Sequence, residues 1–177
     1  MDIWSIGHGA RPLEDFVTTL QDADIEGVAD VRLMPGSRRH PHFGGGSLET
    51  ALGRIGIAYV HLPELGGRRE PRADSPHRAL RVAAFRGYAD HMSTEEFARG
   101  YERLTSLARG SRTAFMCAET LWWRCHRRLI ADRLTVDGWT VTHLLGGGKS
   151  DPHTLWDAAR TLDGQLVYDA GTLPLPA

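Results

Sequence analysis

The chain has almost no lysine, only two cysteines, and no apolar run of membrane-spanning length. Each shortage excludes something. Lys149 is the single lysine, so the other 20 of the 21 basic residues are arginine, whose planar fork suits carboxylate or phosphate in a way an ammonium does not. With a net charge of −1, wholesale electrostatic binding to nucleic acid is disfavoured. Cys117 and Cys125 are too few for a secreted disulfide framework. They stand instead as reactive, metal-bound or reversibly paired thiols. Without a long apolar run or a signal-type N-terminus, the expectation is a cytoplasmic protein with no membrane partner. Repeats and linkers are also missing, so residues 1–177 are expected to form one domain, large enough for a core without staples.

Familiar site motifs are incomplete as well. Gly146-Gly147-Gly148-Lys149-Ser150 resembles the end of a phosphate-binding P-loop, but His143 stands where that motif needs glycine. The triple glycine reads as a flexible turn. There is no Cys-x-x-Cys. A thiol-phosphatase loop needs five residues between cysteine and arginine, whereas Arg124 follows Cys117 after six, past the bulky Trp122-Trp123 pair.

What is present is a regular alternation. Short apolar runs at Ile3–Ile6, Gly27–Val31, Ile57–His61, Thr113–Met116 and Trp139–Leu145 read as strands. Helical spacing follows Pro12 (Leu13, Phe16, Val17, Leu20) and Ser47 (Leu48, Leu52, Ile55). It recurs, weakly, over Pro76–His91, after a Ser93/Glu96 capping box (Phe97, Tyr101, Leu104, Ala108), and from Cys125 (Leu129, Ile130, Leu134) to a stop at Gly138. A short helix at His153–Arg160 and an apolar run at Leu166–Tyr168 are expected in the tail. The pattern predicts an α/β fold: a mainly parallel central sheet of about five strands with helices on both faces.

In such a sheet the strand-end loops open on one edge, where ligands bind. His8, Asp30, Arg32, Ser37, Arg38, Arg39, Glu64, Gly66, Gly67, Cys117, Glu119, Cys125, His126 and His143 are therefore expected around one rim. Cys117 would end a strand and Cys125 would lie in the first turn of a helix, flanked by Arg124, Arg127 and Arg128. A helix start and nearby cations favour a thiolate. The candidate catalytic residues are thus Cys125, Cys117, Glu119, His126 and His8. Asp30, Arg32, Ser37, Arg38, Gly66, Gly67 and Arg127 are the candidate binding residues, although Asp30 and Arg32 share a side of their strand and could equally form a structural ion pair.

Several segments together resemble a family of uncharacterised proteins known as DUF488. The likeness rests on Ile6-Gly7-His8, Asp15-Phe16, Asp30-Val31-Arg32 with Pro35 and Ser37-Arg38, and Ile57, Tyr59, His61, Pro63 and Leu65-Gly66-Gly67. It continues through Cys117-Ala118-Glu119 and Cys125-His126-Arg127, and it fades after about residue 145. Gly9 stands where the family often has serine. The resemblance implies the same fold and site location but no reaction.

The preferred expectation is an enzyme with a thiol-centred site acting on an anionic small molecule or nucleotide, its cofactor and oligomeric state unassigned. A nucleic-acid module using the arginine rim is the first alternative. The second is a metal or haem protein drawing on Cys117, Cys125, His126 and His143.

Overall fold

A computed structural model describes residues 1–36 and 39–171. All five expected strands form: β1 (Asp2–Gly7), β2 (Gly27–Asp30), β3 (Ala58–His61), β4 (Thr113–Cys117) and β5 (Thr140–Gly146). They are mutually parallel, and β6 (Lys149–Pro152) adds an antiparallel edge to give the order β3-β2-β4-β1-β5-β6. The triple glycine makes the β5–β6 turn, with φ of 95°, 59° and 71° at Gly146, Gly147 and Gly148, values that side-chain-bearing residues seldom adopt.

Handedness sets the layers. Crossovers that step from β1 toward β3 carry α1 (Leu13–Asp22) and α2 (Gly45–Gly53) on one face. Those that step back carry α3 (Ala83–His91), α4 (Glu95–Gly110) and α5 (Arg127–Val136) on the other, as right-handed connections require. Alternate strand residues serve the two cores. Ile6, Val28, Ala114, Met116 and Leu144 pack with Phe16, Leu20, Leu48 and Leu52. Ile3, Ala29, Phe115 and Val141 pack with Tyr88, Leu104, Leu129, Ile130 and Leu134. The direction in which the crossovers step across the sheet reverses between β4 and β1, so the loops after these neighbouring strands leave toward opposite faces and open a crevice.

Several boundaries differ from the sequence expectation. Thr94, not Ser93, caps α4, its hydroxyl accepting from the Phe97 N–H. Gly44 precedes α2 in place of a Ser47 cap, and Ile55 is exposed beyond its end. Only Ala83–His91 of the Pro76–His91 stretch is helical. Residues 153–160 contain no helix: the segment turns into β7 (Ala159–Leu162), which pairs with β8 (Gln165–Tyr168). Leu166 and Tyr168 enter the core against α3 and α5, so burial of that hairpin overrode a weak helical pattern.

Candidate functional site

The loop from β4 to α5 descends through a short 3-10 turn at Trp122–Arg124. Cys125 therefore lies just ahead of α5, with His126 as its N-cap residue, and not inside the first turn. The positive end of α5 is directed toward this junction. Cys117 closes β4 opposite Gly7 of β1. The two sulfurs and the His126 Nδ1 all lie within 4.8 Å of one another. Nδ1 is 3.6 Å from the Cys125 Sγ and 3.9 Å from the Cys117 Sγ. On the far side of the ring, Nε2 donates to the Val31 carbonyl at 3.1 Å. A carbonyl can only accept, so Nε2 carries a proton, and the ring presents Nδ1 to the sulfurs.

Arg127 decides the charge of the site. It is 1% exposed, and among the described residues no carboxylate lies within ion-pair distance of it. Its NH2 donates to the carbonyls of Glu119 and Thr120. Its Nε points at the Cys125 Sγ at 3.4 Å. Donation from the Cys117 thiol holds Cys125 well below the ordinary thiol range, aided by His126 and Arg127, and the same bond with burial pushes Cys117 well above it.

Glycine lets the walls approach. The carbonyls of Glu64, Leu65 and Gly66 accept from His91, Tyr88 and Arg69 at 2.8, 2.8 and 3.1 Å, pinning the Leu65-Gly66-Gly67 segment. A Cβ on Gly67 would lie 2.8 Å from the His126 Nδ1. A Cβ on Gly7 would lie 2.0 Å from the Glu119 carbonyl oxygen, so only glycine lets β1 pass under the cysteine loop. Cys117 is 9% and Cys125 4% exposed, so both thiols are largely covered. Tyr88, whose ring lies 4.9 Å from His126, was missed because its segment carries no clear periodicity.

The expected single rim is in fact two clusters on opposite faces of the sheet. His8, Asp30 and Arg32 gather on the α1/α2 side, away from the sulfurs. Arg32 Nε donates to both Asp30 carboxylate oxygens at 2.9 and 3.1 Å, and the Tyr59 hydroxyl donates to Asp30 at 2.6 Å. Arg32 NH1 lies 3.3 Å from the His8 Nε2, and the His8 Nδ1 donates to the Gly9 carbonyl. His8 stacks on Phe43 with ring centroids 4.2 Å apart. Both ring nitrogens of His8 are thus engaged, and Arg32 is committed to Asp30. Glu119 turns its carboxylate to its own loop, accepting from the Leu121 N–H. Ser37 and Arg38 lie outside the described residues. Of the other arginines, Arg69 pairs with Glu96, Arg72 with Asp74 and Asp90, and Arg128 lies over Trp156. The arginine-rich loops are mostly held by partners of this chain.

His143 is not with the sulfurs either. It lies inside β5 in a buried chain of hydrogen bonds that sequence reading did not foresee. Ser5 Oγ meets the His143 Nδ1 at 2.6 Å, the His143 Nε2 meets the His153 Nδ1 at 3.0 Å, and the His153 Nε2 meets Asp132 at 2.9 Å. Tyr168 donates to the other Asp132 oxygen at 3.0 Å. Trp122 stacks on His143 at 4.1 Å, so this network supports the cysteine loop from below. The available signal was polar residues inside two apolar strands.

Burial lowers His143 to about 3, with neighbouring His153 adding to the effect. Burial also lowers His8 to about 4, with Arg32 acting in the same direction. Unfolded, each would titrate near 6.5. As pH falls from about 6.5 toward about 4 the unfolded chain binds protons that the folded chain refuses, so stability falls with acid over that window. The urea midpoint should drop across it, and His8→Gln should flatten the drop. A midpoint that holds steady or rises toward pH 4 would contradict neutral buried rings.

Cavities of about 310 Å³ beside α3, α4 and β8 and about 630 Å³ at the ends of β1 and β5 border the described fold. Neither is lined by Cys117 or Cys125. No described helix is long and apolar enough to cross a membrane.

A family model described as domain of unknown function DUF488 matches residues 12–134. That stretch contains both thiols, His126, Arg127 and the glycine wall, and begins after His8. No curated protein and no solved structure matches the chain.

Proposed function

We propose, for a chain that belongs to the DUF488 family, that it is a thiol-dependent enzyme whose Cys125 thiolate attacks a small anionic electrophile. The observation that carries this reading is the buried Arg127. A guanidinium out of water is very costly without a counter-charge, and the Cys125 sulfur is the one partner among the described residues able to supply it. Cys117 donates its thiol proton to Cys125 and stands ready as the second thiol. His126 orients the pair and can take or return a proton through Nδ1.

Near-complete cover of both sulfurs favours a small substrate over a macromolecule. The start of α5 and the Arg127 guanidinium favour an anionic one. The nucleic-acid reading has less support, because Arg32, Arg69 and Arg72 of the rim it needs are already paired within the chain. A haem plane needs an open face above its axial ligand, which these sulfurs lack.

The test uses two small electrophiles of opposite character. At neutral pH the ultraviolet thiolate absorption should be present in the wild type and lost in Cys125→Ser. Iodoacetate, itself an anion, should label Cys125 before Cys117 and faster than neutral iodoacetamide does. A wild-type protein with no thiolate band would sink the nucleophile assignment. Faster labelling by iodoacetamide would remove the anionic substrate.

A further inference from the structure

The same three side chains have the composition and spacing of a metal site. We propose that Cys117, Cys125 and His126 bind a thiophilic d10 cation, Zn2+ by class, through two sulfurs and Nδ1, and that its binding silences the Cys125 nucleophile. The inference concerns regulation of the site assigned above: the silencing rests on that assignment, and the metal site does not.

The geometry is the first argument. With Zn–S near 2.3 Å and Zn–N near 2.0–2.1 Å at tetrahedral angles, nitrogen and sulfur ligands stand about 3.5 Å apart and two sulfurs about 3.8 Å apart. The observed nitrogen–sulfur separations are 3.6 and 3.9 Å, and the sulfurs lie within 4.8 Å. The triangle is therefore already close to the edge lengths of an occupied site, and small side-chain rotations close it.

The second argument is the imidazole. A metal-binding histidine typically donates its other N–H to a carbonyl or carboxylate, which fixes both tautomer and ring plane. His126 does this through Nε2 to Val31. Gly67 holds the ring from above without a side chain, and Tyr88 flanks it. The ligand that would otherwise need organising is already in place.

Chemistry supplies the third. Two sulfurs and one imidazole nitrogen match borderline-soft cations and not magnesium or calcium, which prefer oxygen. Three protein ligands leave a fourth position for water or a small anion, the pattern of an open and not a closed structural site. Binding requires both sulfurs as thiolates. One Zn2+ is bound, two Zn–S bonds and one Zn–N bond form, and any thiol proton the two sulfurs still carry passes to solvent.

The experiment takes the full-length protein, stripped with chelator and kept reduced. Titration with Co2+ should produce sulfur-to-cobalt charge-transfer absorption in the near ultraviolet and tetrahedral visible bands, saturating at one equivalent. Zn2+ should bleach both. Calorimetric Zn2+ titration should give a stoichiometry of one ion per chain. His126→Ala keeps both sulfurs and should weaken Zn2+ binding by at least about 100-fold. Bound Zn2+ should stop labelling of Cys125 by iodoacetate, and chelator should restore it.

Absence of cobalt bands in the wild type would overturn the metal site and leave the thiolate assignment standing. Intact cobalt bands with Cys125 still labelled by iodoacetate under bound Zn2+ would keep the metal site and overturn the silencing. Unchanged affinity in His126→Ala, or bands that survive Cys117→Ser and Cys125→Ser alike, would place the metal elsewhere and defeat the proposal.

Discussion

Replacing Asp30 with alanine should lower the free energy of unfolding by about 3–5 kcal/mol, the cost of stranding one member of a buried ion pair. Asp30 is fully buried and Arg32 nearly so. The carboxylate accepts from the Arg32 Nε and main-chain N–H and from the Tyr59 hydroxyl. Its removal leaves a guanidinium out of water with the neutral His8 ring and the Tyr59 hydroxyl beside it and no counter-charge. The exposed Arg72–Asp74 pair is the internal control, because Asp74→Ala should cost less than about 1 kcal/mol. Urea unfolding of the two variants checks both numbers. The thiolate absorption of Asp30→Ala should persist, since the Asp30 cluster and the sulfurs occupy opposite faces of the sheet. Loss of that band in a folded variant would show the two clusters to be one site after all.

Cys125→Ser should destabilise the protein by about 3–5 kcal/mol, far more than an oxygen-for-sulfur exchange ordinarily would, because it removes the counter-charge of Arg127. Arg127→Met should be comparably costly, since it also leaves the Glu119 and Thr120 carbonyls without their donor. The double variant should cost clearly less than the sum, with a coupling of about 1–3 kcal/mol. Arg127→Met should in addition diminish the thiolate absorption, as the remaining sulfur is better protonated in a dry, uncharged pocket. Additive costs, or a Cys125→Ser variant within about 1 kcal/mol of wild type, would mean that Cys125 is a neutral thiol and Arg127 is held by carbonyls alone. Denaturant curves for the four proteins of the cycle give the answer without any knowledge of substrate.

The cysteine loop was legible because its parts obey local rules. Thr113–Met116 is an apolar run of strand length, Gly138 ends the following helix with φ of 84°, and thiols between them must fall at a strand end and a helix start. The five strands were legible for the same reason. The C-terminal hairpin was not: residues 153–160 carry a helical pattern too weak to compete with the burial of Leu166 and Tyr168.

The split of the expected rim has a different cause. Asp30 and Arg32 could be placed on one side of their own strand by alternation alone. Whether that side is also the side of Cys117 depends on which strand lies next to which, and in what register. Only the tertiary pairing of β4 with both β1 and β2 answers that. The Ser5–His143 bond likewise spans 138 positions and exists because β1 and β5 are neighbours.

Sequence by itself determined the α/β alternation, the family and the approximate position of both thiols, since each follows from periodicity or from a run of adjacent residues. Tertiary structure decided which polar groups meet, that Arg127 is sealed against Cys125, and that His126 turns its Nδ1 to two sulfurs. Those depend on burial and on partners distant in the chain, and a charge acquires its meaning only from what surrounds it once water has been removed.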